Sequence, residues 1–100
     1  MFRGASAFNG IISNWDLSGV TDIRNMFERA SSFNQPLNSW DVSSVVEMSR
    51  IFKTASSFNQ PLNSWDTSNV ISMREMFREA NAFDQDISSW DITSLSLIHI

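Results

Sequence analysis

A 25-residue period runs through the whole chain and limits what it can fold into. The 100 residues divide into four units, 1–25, 26–50, 51–75 and 76–100, that repeat the same residue types at the same places. One unit is too small to bury its own apolar side chains, so we expect the units to stack with equivalent residues side by side. The clearest columns are Phe2, Phe27, Phe52 and Phe77; Phe8, Phe33, Phe58 and Phe83; and Trp15, Trp40, Trp65 and Trp90.

The first part of each repeat has the apolar spacing of a helix. From Val20 to Phe33 the apolar residues recur at steps of three or four, which places them on one helical stripe. A hydroxyl side chain two residues before the stripe could cap the helix N-terminus. We therefore predict one helix per unit, ending near Ser31–Ser32 in this case. The predicted caps are Ser18, Ser43, Ser68 and Thr93.

The second part of the repeat, residues 34–42, is too short and too polar for a helix. Pro36 and Pro61 open this part in the second and third units, and proline is tolerated at the first residue of an extended segment. We predict a turn followed by a short strand or extended segment around Leu37–Trp40. The predicted fold is an α/β repeat solenoid, leucine-rich-repeat-like, with one helix and one short strand or extended segment in each 25-residue unit.

Composition excludes several classes of function. The chain has no cysteine, so it has no disulfide, no thiolate nucleophile and no cysteine-based zinc site. Its net charge of −4 argues against a binder of the phosphate backbone. No apolar run approaches the roughly 20 residues of a membrane-spanning helix, and no signal peptide follows Met1. We expect neither nucleic acid nor a membrane span.

Catalytic chemistry has no support in the sequence. His99 is the only histidine, and the serines have no nucleophile-elbow motif. The repeated aspartates share one kind of environment, whereas an acid–base pair needs two contrasting ones. We predict that the protein is not an enzyme, with no catalytic residues, no cofactor and no metal site.

One aspartate follows the tryptophan of each unit. A column of such carboxylates could bind Ca²⁺, or each could accept a backbone N–H in an Asx turn. With only one carboxylate per unit we favour the turn. The residues are Asp16, Asp41, Asp66 and Asp91.

An asparagine row and the tryptophan column each allow two interpretations. Asn9, Asn34 and Asn59 could bind a glycan, or form a structural ladder that satisfies backbone groups of a buried turn. The tryptophans could stack on sugars or form a core column. We favour the ladder and the core column.

All the basic residues fall on the polar side of the predicted helices, where Glu28, Glu75 and Glu79 leave a net charge of +4. This ridge could be a solvated face with pairs such as Arg24–Glu28, which we favour, or a docking stripe for an acidic glycan, cell-wall polymer or protein. If the ridge binds, charge reversal at Arg24, Arg50 and Arg74 should abolish binding. The ridge residues are Arg3, Arg24, Arg29, Arg50, Lys53, Arg74 and Arg78.

The pattern Met-Phe-x-x-Ala-x-x-Phe-Asn-Gln-Pro-Leu-x-x-Trp-Asp-Val-Ser-x-Val resembles the 25-residue repeat of BspA-like leucine-rich-repeat surface proteins, which mycoplasma-type surface lipoproteins of unassigned function also contain. The resemblance covers residues 1 to about 96. It implies a leucine-rich-repeat-like solenoid and an extracellular or cell-surface location. It also implies adhesion to host or neighbouring cells for some relatives, and no assigned catalytic residues.

The pattern also suggests where the repeats stop. Leu97 and Ile100 are apolar where earlier units are polar, and the segment from Leu95 resembles the translation of a sequencing-library adapter. We expect a single solenoid fragment over 1–96 (repeats 1–25, 26–50, 51–75 and 76–96) and a non-native tail at 97–100.

Three functions remain open. The leading one is a non-catalytic cell-surface repeat module that binds protein or glycan in adhesion. The second is a structural spacer of a surface protein, and the third is an intracellular protein-interaction scaffold. In each case we expect the units to stack on further repeats of the same chain.

Overall fold

The computed structural model describes residues 1–96, and these residues form neither a helix nor a strand. They are built from turns and extended segments, with isolated parallel bridges from Asp22 to Glu47 and from Glu47 to Ser72. The predicted α/β solenoid, leucine-rich-repeat-like and with one helix per unit, is therefore wrong. The body is compact, with extents of 35 × 27 × 22 Å. The tail predicted at 97–100 lies outside the described residues.

Left-handed residues interrupt the segment predicted to be helical. Asn25 and Arg29 both have a φ of 62°, whereas every residue of an α-helix has a negative φ. The local hydrogen bonds span three residues, as from the N–H of Ala30 to the carbonyl of Phe27 at 3.0 Å, and a helix needs a span of four. The same conformation recurs at the equivalent positions Gly4, Arg50, Thr54, Glu75 and Glu79.

The other backbone groups of this segment bind the next unit. The N–H of Ile23 donates to the carbonyl of Glu47 at 3.1 Å, and that of Phe27 to the carbonyl of Ile51 at 2.8 Å. Between these residues, Met26 donates locally to Ile23 at 3.2 Å. Local and inter-unit bonds thus alternate along the segment. The apolar steps of three and four come from this alternation of turns and not from a helix.

The strand predicted around Leu37–Trp40 is also absent. Asn38 and Ser39 form a turn there, closed by the N–H of Trp40 donating to the carbonyl of Leu37 at 3.0 Å. This tight turn leaves too few extended residues for a strand.

Phenylalanine columns form the centre of the core. The ring of Phe27 is stacked 5.6 Å from Phe2 and 5.6 Å from Phe52. The ring of Phe33 lies between Phe8 and Phe58, its predicted neighbours, at 5.7 and 6.0 Å. The inner phenylalanines are fully buried. Each inner unit therefore completes its core only between two neighbouring units.

Three of the four tryptophans lie in the same core. Trp40, Trp65 and Trp90 are buried, and their rings pack beside the phenylalanines. Each indole N–H donates at 2.9 Å to a carbonyl of the preceding unit, as from Trp65 to Leu37. This bond satisfies the one polar group that burial of the indole takes out of water. Trp15, in the first of the four units, has no such acceptor within residues 1–96 and is exposed.

Candidate functional site

The predicted ridge residues lie along one corner of the stack, although not on helices. We call this corner the basic edge; it consists of the turns 24–29, 49–54 and 74–79, together with Arg3 and Gly4. The N–H of Asn25 donates to the carbonyl of Ser49 at 3.0 Å, and that of Arg50 to the carbonyl of Arg74 at 2.9 Å. These bonds hold successive turns in register, so all seven basic residues are brought to this edge.

Glu75 forms ion pairs with three cations of the basic edge. Its carboxylate lies 2.9 Å from Nε of Arg50, 3.4 Å from Nζ of Lys53 and 2.8 Å from Nη1 of Arg78. The hydrogen bond from Arg50 is the main cause that lowers the pKa of Glu75 to about 2, and those from Arg78 and Lys53 add to it. Arg50 and Lys53 lie in the turn 49–54 and Arg78 in the turn of Glu75 itself, so Glu75 ties two successive turns together through charge.

The first turn of the basic edge has its own ion pairs. Arg3 Nε lies 3.0 Å from the buried carboxylate of Glu28, which also accepts from Asn25 Nδ2 at 2.8 Å. Arg24 Nε lies 3.3 Å from Asp22. The predicted Arg24–Glu28 pair is therefore wrong, because residues four apart share a face only in a helix.

Two arginines of the basic edge have no ion pair within residues 1–96. They are Arg29 and Arg74, and both are exposed. The basic edge holds seven cations and three carboxylates, Glu28, Glu75 and Glu79, which leaves the net charge of +4 expected from sequence. Asp22 and Glu47, two residues before the first and second turns, lower the local charge to +2.

The aspartate column forms Asx turns. Oδ1 of Asp16 accepts the backbone N–H of Ser18 at 2.9 Å and its hydroxyl at 2.6 Å. These two bonds, the hydroxyl first, lower the pKa of the Asp16 carboxyl. The hydroxyls predicted as helix caps serve these turns instead, so the cap prediction is wrong. The other three turns pair Asp41 with Ser43, Asp66 with Ser68 and Asp91 with Thr93.

The asparagine row links the units through side-chain amides. Asn9 Oδ1 accepts the N–H of Asn34 at 2.8 Å and Nε2 of Gln35 at 3.2 Å. The same pair of bonds joins Asn34 to the third unit and Asn59 to the fourth. The row lies exposed or half-buried and not in a buried turn. Each amide oxygen of the row therefore accepts hydrogen bonds from the next unit, although water can reach it.

The amino-acid sequence matches the model of a known family. Residues 1–99 match the family described as Mycoplasma protein of unknown function, DUF285. The chain belongs to the DUF285 family. No curated protein and no solved structure matches it. Within residues 1–96 of this DUF285 chain, no helix has the length and apolar character needed to cross a membrane.

Inter-unit charge pairing is the part of this DUF285 chain that sequence reasoning missed. The Arg50–Glu75 pair joins residues 25 apart, and Arg3–Glu28 does the same. The sequence could have predicted these pairs, because a 25-residue stack brings position i beside position i+25.

Within residues 1–96, acidic and histidine side chains form no group of three or more that could hold a metal ion.

Proposed function

We propose that this chain is a non-catalytic binding module of a surface protein of the BspA-like type, and that its basic edge contacts an acidic protein or anionic glycan. The observation that supports the proposal is that constant and variable positions of the repeat have different roles. Constant side chains serve the stack: phenylalanine and tryptophan in the core, aspartate in the Asx turns and asparagine in the row. Several positions that change from unit to unit lie on the basic edge.

Side chains at the basic edge differ from unit to unit on a constant backbone, which is what a specificity surface needs. Three such positions are Arg3, Glu28, Lys53 and Arg78; Gly4, Arg29, Thr54 and Glu79; and Arg24, Ser49 and Arg74. Each position is held by the inter-unit backbone bonds whatever its side chain. Different residues can therefore be displayed on one backbone frame.

The chemistry of the edge suits a weak contact with an anion. Arg29 and Arg74 are exposed, and a guanidinium can bind a carboxylate or sulfate through two N–H groups. Arg50, Lys53 and Arg78 already share Glu75, so a ligand must compete for them. Each copy should bind weakly, and linked repeats should bind more tightly through effective concentration.

The test compares binding to immobilised heparin, an anionic polymer, and to neutral dextran. Changing Arg24, Arg29 and Arg74 to glutamine should remove heparin binding and leave the fold intact. Arg50, which the sequence marked as equally suitable, is left unchanged because its loss would disturb Glu75. A matched control introduces the same change in net charge at exposed turn positions, with glutamate at Ser32, Ser57 and Ala82.

Heparin binding should also fall as salt rises, since exposed charges more than about 3 Å apart are screened at about 1 M salt. Binding that survives both the arginine variant and high salt would move the site to the asparagine row. Equal loss in the control variant would point to net charge alone and would overturn the basic edge as a site.

The structural spacer has one observation in its favour. Five of the seven cations on the basic edge already have carboxylate partners within the chain. A spacer would bind neither heparin nor dextran. The intracellular scaffold differs from the surface module in its location. Antibody labelling of intact cells of the source should detect the protein if it is displayed at the surface.

A further inference from the structure

The asparagine row and the glutamines bonded to it form a periodic polar surface. Its members are all exposed or half-buried. Segments 33–41 and 58–66, which carry its inner part, have the same sequence, whereas the basic edge changes from unit to unit. We call this surface the amide face, and it consists of Asn9, Asn34, Asn59, Gln35, Gln60 and Gln85.

Backbone partners determine which atom of each amide is oxygen and which is nitrogen. Oδ1 of Asn34 accepts the backbone N–H of Asn59 at 2.9 Å, so this atom must be the oxygen. Nε2 of Gln60 donates to the backbone carbonyl of Asn34 at 3.2 Å, so this atom must be the nitrogen. The same two backbone contacts occur at the other two junctions between units. The orientation of every amide on the face is therefore fixed.

The ladder uses only one of the two polar atoms of each amide. A side-chain amide has an acceptor oxygen and a donor nitrogen. Asn34 Nδ2 and Gln60 Oε1 have no hydrogen-bond partner within residues 1–96. No side-chain nitrogen or oxygen of these residues is both buried and unpaired, so both atoms reach the solvent. The ladder and glycan interpretations of the row therefore use different atoms and do not exclude each other.

These donor–acceptor pairs recur with the step of the stack. Phe8, Phe33 and Phe58 directly precede the three asparagines, and their rings are 5.7 and 6.0 Å apart. The hydrogen bonds of the ladder already hold each amide, so a ligand need not order these side chains when it binds. The amide face is thus a preorganised array of donors and acceptors.

An uncharged apolar column lies next to the amides in the sequence of the first three units. It consists of Ile11, Pro36 and Pro61, which are all exposed. Proline has a fixed φ and no N–H, so the column is rigid and its two prolines donate no backbone hydrogen bond. Segments 9–11, 34–36 and 59–61 contain no charged residue. Placed polar groups beside apolar surface are typical of ligand sites, and the lack of charge favours a neutral ligand.

We propose that the amide face binds a neutral linear glycan that runs along the stack. A sugar hydroxyl can donate and accept, so hydroxyls donate to the glutamine Oε1 atoms and accept from the asparagine Nδ2 atoms. The apolar C–H groups of the sugar rings lie on the column of Ile11, Pro36 and Pro61. This site needs no cation and lies apart from the basic edge, so it does not rest on the function proposed for that edge.

An extended peptide also offers donors and acceptors, but its spacing differs. The pattern along its edge recurs every two residues, about 6.6 Å. Against pairs that recur at 5.7 to 6.0 Å, a peptide would move out of register along the stack. A glycan carries several hydroxyls on each ring, and each O–H rotates to suit its partner. The spacing therefore favours a glycan.

The test is affinity chromatography of the full chain on immobilised dextran, mannan and cellulose, three uncharged polysaccharides. At least one of them should retard the chain. The retardation should not weaken as salt rises, because no charged group takes part. The variant with glutamine at Arg24, Arg29 and Arg74 should be retarded equally, although it should lose heparin binding. Failure of one proposal is therefore distinguishable from failure of the other.

Asn34→Asp combined with Asn59→Asp removes two free donors and keeps the ladder. Aspartate retains an Oδ1 that accepts the backbone N–H and has a second acceptor in place of Nδ2. Affinity for the polysaccharide should fall by about tenfold for two lost hydrogen bonds, without a lower urea midpoint. The matched control is Ser44→Asp combined with Ser94→Asp, which changes the net charge equally at exposed turn residues outside the face. It should bind as the unaltered chain does.

Three results would overturn the proposal. The first is retention on none of the three polysaccharides, and the second is an equal loss of affinity in the two aspartate variants or no loss in either. The third is binding of an extended glycine–serine peptide in place of all three glycans, which would assign the face to a peptide.

NMR of the side-chain amides locates the contact directly. Soluble fragments of the retained polysaccharide should shift the Nδ2 proton signals of Asn34 and Asn59, because these protons form the new hydrogen bonds. Asn69 is the reference, since its Nδ2 already donates to the carbonyl of Ser43 at 2.7 Å. Shifts of equal size at all three asparagines would contradict the assigned site.

Discussion

Inner and outer units of this chain have almost the same sequence but very different surroundings. Trp65 is 3% exposed and Trp15 is 40% exposed at the same repeat position. Phe58 is fully buried, whereas Phe8 is half-buried. The units differ mainly in having two neighbours or one. Burial is therefore a property of the stack, and the interior should contribute most of the stability.

The largest expected effect separates the inner from the outer tryptophan. Trp40→Ala removes a buried aromatic ring and leaves the carbonyl of Ile12 without its 2.9 Å donor, so it should cost about 3–5 kcal/mol of unfolding free energy. Trp15→Ala should cost less, about 1–2 kcal/mol, because Trp15 is already 40% exposed to water. Urea unfolding of both variants measures the difference. Equal costs would show that the first unit is as well packed as the second.

A smaller effect is expected in the asparagine row. Asn34 Oδ1 accepts from the N–H of Asn59 and from Nε2 of Gln60, so Asn34→Ala should cost about 1 kcal/mol. Asp84 is the equivalent residue of the last unit, and its carboxylate accepts no hydrogen bond within residues 1–96. Asp84→Ala should therefore change the unfolding free energy by less than about 0.5 kcal/mol. A cost at Asp84 equal to that at Asn34 would contradict the role of the ladder.

Left-handed positions offer a pair of changes with opposite signs. Thr54 has a φ of 59°, which is unfavourable for a β-branched residue, and Gly4 occupies the same repeat position with a φ of 74°. Thr54→Gly should stabilise by about 1 kcal/mol, because relief of strain exceeds the entropy cost of glycine. Gly4→Thr should destabilise, although no atom lies within 4 Å of an added Cβ. Thermal unfolding tests both, and two changes of the same sign would be incompatible with backbone strain as the cause.

These left-handed positions also explain what the sequence could and could not predict. The 25-residue period predicts which rings are neighbours, and Phe33 does lie between Phe8 and Phe58. The helix was wrong because apolar steps of three and four also arise where turns alternate with bonds to the next unit. Gly4 and Asn25 were the available warning, since both residue types favour a positive φ. The equivalent positions of the other units carry arginine, threonine or glutamate, which do not indicate a positive φ.

The location of the candidate site could be predicted from the sequence, but its ion pairs could not. A run of basic residues at neighbouring repeat positions gave the location of the edge. Their partners depend on the inter-unit register of the turns, as with Arg50 and Glu75, which are 25 residues apart. A helical frame predicted Arg24–Glu28 instead. The predicted ion pair was therefore wrong because it assumed a helix, although the basic residues were correctly assigned to one edge.

The smallest effect concerns acid sensitivity, because the carboxylates involved are partly exposed. The pKa of Glu75 is lowered from its ordinary 4.5 to about 2, first by the hydrogen bond from Arg50 and then by those from Arg78 and Lys53. A carboxyl whose pKa is lower when folded stabilises above its unfolded pKa and loses that contribution as pH falls to its folded pKa. Glu75 should therefore stabilise the chain fully above about pH 4.5 and progressively less down to about pH 2.

Glu75→Gln should lower the urea midpoint at neutral pH and flatten its decline between pH 4.5 and about 2. Some decline should remain, because hydroxyl and backbone donors also lower the pKa of Asp16, Asp41, Asp66 and Asp91. Those donors lie two residues away in the same unit, so the contribution of Asp16 does not depend on stacking, whereas that of Glu75 needs the neighbouring turn 49–54. Glu79→Gln is the control, since Glu79 is largely exposed and 3.9 Å from Arg78. If both glutamines flatten the profile equally, the inter-unit cluster does not contribute more than an exposed pair.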